Sequence, residues 1–169
     1  MNNFIQLNVS SKNEFHSLKD SIILSFIIIL ITIFMNQKLE LGILLILFVF
    51  LSIFLLPTII IHLNYRKFNK NKILIFQNDR LIFDNEIFLY DEIKDIKAIG
   101  SNYSLNNFRT AVIPYLNTYF YVKFKFNNGK YIFVTNLYSK QLLQIISQKI
   151  PYKTVEKEMK FFPIIKNYS

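Results

Sequence analysis

Few residues in this chain have the type and spacing to do chemistry. There are two histidines, His16 and His62, and no Cys. The missing thiols remove disulfides, thiolate nucleophiles and Cys-ligated metals. His62 stands beside a basic run with no further ligand at metal-binding spacing, so it reads as a polar side chain at a membrane interface. Asp91, Glu92 and Asp95 are the one tight carboxylate group. They could hold a hard cation weakly, but Lys94 and Lys97 beside them favour a solvated turn. The glycines Gly42, Gly100 and Gly129 are too scattered to form a phosphate-cradling loop. Neither His falls in the segment expected to fold as a domain, so no Ser-His-acid arrangement is suggested. The expectation is a non-enzyme with no cofactor and no metal.

Two charged groups remain as binding candidates. The first is Asn64–Lys72, NYRKFNKNK, which carries Arg66, Lys67, Lys70 and Lys72 and no acid. Next to a membrane span these cations could face anionic lipid, at ~1 kcal/mol per side chain near the surface. The second is the strand Tyr119–Phe126. Its Phe120, Val122, Phe124 and Phe126 alternate with Tyr119, Tyr121, Lys123 and Lys125, a period of two that gives one apolar and one amphipathic face. The Tyr/Lys face, or else an uncovered strand edge, is the expected partner surface. Aromatics interleaved with cations also suit a nucleic-acid stacking platform, but any half-exposed strand in a Lys- and Tyr-rich chain looks the same. Nucleic acid is therefore not the expected partner. The net charge of +9 points weakly, because Ile, Asn, Lys, Phe and Tyr are abundant together, as in an AT-rich coding sequence.

The elements that must position these groups start with two apolar runs. Leu41–Leu63 has 23 residues without Lys, Arg, Asp or Glu, and 18 of them are Leu, Ile, Val or Phe. At ~1.5 Å per residue it is long enough for a ~30 Å hydrocarbon core. It shows no polar face of the kind a soluble amphipathic helix needs. Ser21–Met35 is shorter, at 15 residues, and could extend back to Leu18 and Phe15. No small-residue cleavage site follows it, which disfavours a signal peptide. The five-residue link Asn36–Glu40 makes the two runs an antiparallel transmembrane hairpin. Lys12, Lys19, Arg66, Lys67, Lys70 and Lys72 flank its open end, against Lys38 alone in the loop. The positive-inside rule then places both termini in the cytoplasm, with the hairpin in the cell (inner) membrane. With no ionisable residue in mid-span, transport is disfavoured.

After Lys72 the apolar runs shorten and turn residues separate them. Ile73–Gln77, Leu81–Phe83 and Ile87–Tyr90 read as strands around Asn78-Asp79 and Asp84-Asn85. Asn127-Asn128-Gly129 closes a hairpin returning through Tyr131–Val134. The segment 101–114 is polar and irregular, expected as a loop or strand edge. Leu142, Ile146 and Ile150 fall at i, i+4 and i+8 on one helix, stopped by Pro151. The expected division is a cytoplasmic flank (1–20), the hairpin (21–63, with spans 21–35 and 41–63), a basic juxtamembrane linker (64–72), a β domain with a C-terminal helix (73–150) and a charged, aromatic tail (151–169). The tail's Phe161-Phe162-Pro163-Ile164-Ile165 could fold back on the domain, bind a partner or dip into the membrane interface, and folding back is the default expectation.

This layout resembles the bacterial PH-like (pleckstrin-homology-like) membrane proteins, including the YcxB-like group. The resemblance is carried by ILIFQNDRLIFDNEIFLYDEIKDI at Ile73–Ile96, which looks like that family's opening hairpin, third strand and entry to the fourth through Tyr90, Asp91, Glu92, Ile93 and Ile96. It covers roughly 21–150, with a long insertion around 101–117. It implies an α+β membrane protein whose transmembrane hairpin precedes a small antiparallel β-sandwich or barrel capped by a C-terminal helix. It implies no reaction. Arg80, beside Asp79, is the single cation in the expected opening hairpin, too little for the phosphoinositide pocket that some relatives have. Three readings follow. One is a non-enzymatic anchored module that binds a protein, a lipid head group or its own copy. The second is a subunit or immunity-type membrane protein whose hairpin recognises a larger complex. The third, an enzyme acting on membrane lipid, lacks catalytic groups.

Overall fold

The computed structural model describes residues 4–35, 41–106, 111 and 113–166. The link Asn36–Glu40, with Lys38, lies outside these, as does part of the 101–117 insertion.

The chain opens with a strand that the sequence reading did not find. β1 (Ile5–Asn8) pairs antiparallel with β2 (Ile73–Phe76), Ile5 opposite Phe76. Between them run α1 (Ser11–Met35) and α2 (Leu41–Asn69). The hairpin is therefore an excursion between the first two strands of a sheet, and 1–20 is not a free flank. The Ser10 hydroxyl accepts from the Asn13 amide and caps α1. α1 thus begins at Ser11, ahead of the expected Ser21. α2 runs on through the supposed linker and stops where Asn71 takes a positive φ of 65°, a left-handed exit that Asn tolerates.

β3 (Arg80–Phe83) and β4 (Glu86–Leu89) complete sheet A in the order β1-β2-β3-β4. The expected opening hairpin is thus β2–β3. Asp84 and Asn85, both at positive φ, form the tight β3–β4 turn. A short 3-10 turn at Tyr90–Glu92 leads into sheet B. This contains β5 (Ile93–Gly100), β6 (Phe120–Phe126), β7 (Tyr131–Thr135) and β8 (Val155–Met159), in the order β7-β6-β5-β8. β8 lies in the expected tail and pairs parallel with β5, Ile96 opposite Val155, so this sheet is mixed rather than purely antiparallel. The insertion holds two short helices, α3 (Asn102–Leu105) and α4 (Pro114–Thr118).

The sheets pack face to face. Leu74, Phe76, Leu81 and Phe88 of sheet A meet Ile96, Val122, Phe124 and Phe126 of sheet B, all buried, with the Phe88 and Phe126 rings stacked at 4.4 Å. α5 (Leu142–Lys149) brings Leu142 and Ile146 into this core, joined by Ile150, as their spacing predicted. The other face of sheet B carries a second apolar cluster built with α2, α4 and the tail.

Candidate functional site

The second cluster is where the hairpin meets the domain. Ile61, Tyr65 and Phe68 lie along one face of α2 at helical spacing, with Ile61 and Tyr65 fully buried. Tyr65 stands edge-on to Tyr119 and Tyr121, with ring centres 5.5 and 6.1 Å apart. Phe68 meets Phe133 at 5.9 Å in the same geometry. Such aromatic pairs add ~0.5–1.5 kcal/mol each beyond area burial. His62 shares a 3.1 Å hydrogen bond between its Nδ1 and the Tyr119 hydroxyl. Burial pushes the Tyr119 pKa well above the ordinary tyrosine value, so the phenol stays protonated.

This corrects the expected partner face. Tyr119 and Tyr121 are 0% and 2% exposed, because α2 continues past the span and lies over them. Lys123 and Lys125, further along β6, are half-buried, with Nζ 4.1 and 5.7 Å from the Tyr131 ring centre. The four residues share a strand face but not an open surface. The alternation was legible; the helix covering half of it was not.

The basic cluster also divides. Arg66 Nε lies 2.7 Å from Glu14 Oε1 of α1, and Lys72 Nζ lies 3.3 Å from Asp84 Oδ2. Both are engaged within the molecule. Lys67 and Lys70 are exposed and form no ion pair with described residues. Arg80 donates two 2.9 Å hydrogen bonds to the Asp79 carboxylate, which holds that carboxyl below its usual pKa. In the carboxylate group, Lys97 pairs with Asp95 at 3.8 Å and with Glu156 at 3.1 Å. Among the described residues, no three His, Asp or Glu side chains converge as a metal site.

Asparagines fix the junction. Asn69 donates to the Phe133 carbonyl at 2.8 Å and accepts from the Thr135 amide at 2.7 Å, so its side chain acts as a strand partner for β7. Asn64 pairs in the same way with the backbone of Ile165, at 2.9 and 3.1 Å. The tail therefore folds back onto α2, as expected, and Ile165 is buried in the second cluster.

Beyond the junction, α1 and α2 pack along Ser17, Ser21 and Ser25, which recur every four residues and are all buried. Ser21 Oγ lies 2.9 Å from Thr58 Oγ1, and Thr58 donates to the Phe54 carbonyl, so Ser21 is the donor of this pair. The outward surfaces are apolar. Exposed apolar side chains run from Ile22 to Phe34 on α1, above which Lys19 and Asp20 are exposed, and from Leu44 to Leu63 on α2. At ~1.5 Å per residue these stretches are about 18 and about 28 Å long. Both helices are long and apolar enough to cross a membrane, with mean hydropathies of 2.1 and 2.2.

A PH-domain family model matches residues 7–144, from β1 through the hairpin to the first turns of α5. The chain belongs to the PH-domain family. No curated protein and no solved structure matches it. The matched span takes in α1 and α2, so in this PH-domain protein the hairpin is internal to the family region rather than appended to it.

Proposed function

We propose that this PH-domain protein is a non-enzymatic, membrane-anchored binding module. Its hairpin crosses the cell (inner) membrane, both termini are cytoplasmic, and the β domain is held against the inner leaflet. One observation carries the reading: of the apolar windows in α1 and α2, only 17% is buried within the protein. A core helix of a soluble protein would be mostly buried. Bands of exposed Leu, Ile, Val and Phe, about 28 Å long on α2 and about 18 Å on α1, lie side by side; the longer matches a ~30 Å hydrocarbon core, and in water both would aggregate. The seam of small hydroxyl residues is the packing that suits helices in lipid.

The grouping with bacterial YcxB-like proteins fits this reading through the hairpin and the strand pattern. Lys67 and Lys70, exposed at the cytoplasmic end of α2, are the residues placed to meet anionic head groups. Protein binding is the second reading, favoured by the outer face of sheet A. There Ile75, Ile82 and Ile87 form a row across three strands, with Ile87 57% exposed. With no native Cys, topology can be read from single cysteines. An impermeant maleimide applied to intact cells should label Asn36→Cys in the hairpin loop and leave Asn128→Cys, at the β6–β7 turn, unlabelled until the membrane is permeabilised. Labelling of Asn128→Cys from outside would reverse the orientation.

A further inference from the structure

The segment after β8 is pinned at both ends and apolar in between. The Lys160 amide donates to the Gly100 carbonyl at 2.7 Å, and Ile165 is held by Asn64. Between these points Phe161 and Phe162 are 64% and 38% exposed. Their rings stand edge-on to Tyr115 of α4, at 5.8 and 6.1 Å. Tyr115 itself is buried against the domain, and α4 touches both α1 and α2. The two phenyl rings are thus on a fixed platform beside the hairpin.

Their depth follows from the helix register. Asn64, which holds the segment, is the neighbour of Leu63, the last exposed apolar residue on α2. The contacts Ser21–Thr58 and Glu14–Arg66 set α1 against α2 so that Phe15 stands at the same level, while the exposed Lys19 and Asp20 stand level with Ile59 and Ile60, so charged and apolar side chains overlap in this zone. Ile165, the held end of the segment, is therefore level with the zone where the apolar band gives way to charge, and Phe161 and Phe162 precede it on the α4 side. Lys160 and Lys166, both exposed, flank them; Lys160 Nζ is 2.9 Å from Glu158 Oε1. Apolar rings flanked by cations suit the membrane–water interface, where apolar side chains bury into the headgroup–acyl boundary and lysines reach up to the phosphates.

We propose that Phe161 and Phe162 form a second membrane contact, seated in the interface of the same leaflet from which the hairpin emerges. This foot rests on the anchor reading and deepens it. Two contacts at separate points on the domain would fix its tilt and rotation on the leaflet, which a hairpin alone does not do.

The chain has no Trp, so single tryptophans report their own surroundings. Phe161→Trp, Phe162→Trp, Phe26→Trp on α1 and Ile87→Trp on the outer face of sheet A would each be prepared in the full chain. Each would be placed in nanodiscs of phosphatidylcholine brominated either near the head group or near the chain end. Phe161→Trp and Phe162→Trp should show blue-shifted emission and lose most of it to shallow bromines, with less loss to deep ones. Phe26→Trp should be quenched more strongly by deep bromines, and Ile87→Trp by neither. If Phe26→Trp is quenched while neither tail variant is quenched beyond Ile87→Trp, the foot is wrong and the anchor stands. If Phe26→Trp is also unquenched, the anchor reading fails and the foot fails with it. A tail tryptophan that is blue-shifted yet insensitive to bromine would place a protein on this patch and overturn the proposal.

Discussion

At the residue scale, asparagine does more than composition suggests. Asn69 is fully buried and satisfies one carbonyl and one amide at the edge of β7. The Tyr138 hydroxyl reaches the carbonyls of Asn69 and Lys72, at 3.3 and 3.1 Å, and closes the helix exit. Asn136 bridges Thr118 and Phe120, and Asn117 pairs with both backbone groups of Ala111. Asn69→Ala would leave two buried backbone groups without partners, at ~1–3 kcal/mol each. The expected loss is about 2–6 kcal/mol, read as a lower denaturation midpoint of the full chain in detergent. Asn128→Ala, in an exposed turn, should shift the midpoint by less than about 0.5 kcal/mol. A midpoint unchanged in Asn69→Ala would show that the helix exit is not fixed by this amide. These roles were not legible in the sequence. The Asn69 partners lie 64 and 66 residues away, and no local pattern marks a side chain that completes a distant strand.

At the element scale, legibility followed the period of each segment. β6 and α5 have regular apolar spacing and each was placed close to its observed span, while α2 was placed at its start but ended six residues early, at Leu63 rather than Asn69, where the apolar run stops and the helix does not. α1 was read as short for two physical reasons. Its first ten residues carry Lys12, Glu14, Lys19 and Asp20, and its seam is made of serines, which lowers its apparent apolarity. β1 and β8 escaped because edge strands are short and one-sided; β8 reads Val-Glu-Lys-Glu-Met, which resembles a solvated tail. The seam makes its own prediction. Ser21 is 1% exposed and sits against Thr58. Ser21→Ala removes one hydrogen bond within an apolar hairpin and should cost only about 0.6 kcal/mol. Ser21→Leu inserts a branched side chain where the helices touch and should cost about 1–3 kcal/mol through overpacking. Thermal unfolding in detergent separates the two. Equal effects would mean that the hydrogen bond, not the close approach, holds the seam.

At the scale of the whole molecule, the hairpin and the domain are one folded body rather than an anchor and its cargo. Sheet A needs β1 from before the hairpin. The outer face of sheet B needs Ile61, Tyr65 and Phe68 from its returning helix. A fragment of residues 72–169 lacks both. It would expose Tyr119, Tyr121, Ile99 and Leu137, which the intact chain buries, and burying such a side chain is worth ~1.5–3 kcal/mol. That loss is comparable to the whole stability of a small domain. The fragment should therefore be aggregated or loosely packed. The apolar arms themselves should be dispensable for folding. Ser21 and Thr58 are in hydrogen-bond contact, so a short Gly/Ser linker can replace residues 22–57 while leaving both docked helix stubs in place. The shortened chain should be soluble without detergent. Its amide spectrum should be dispersed, and the amides of β7 should resist hydrogen exchange because Asn69 still completes that strand. If instead residues 72–169 fold alone with the same protection, the domain is independent of the hairpin.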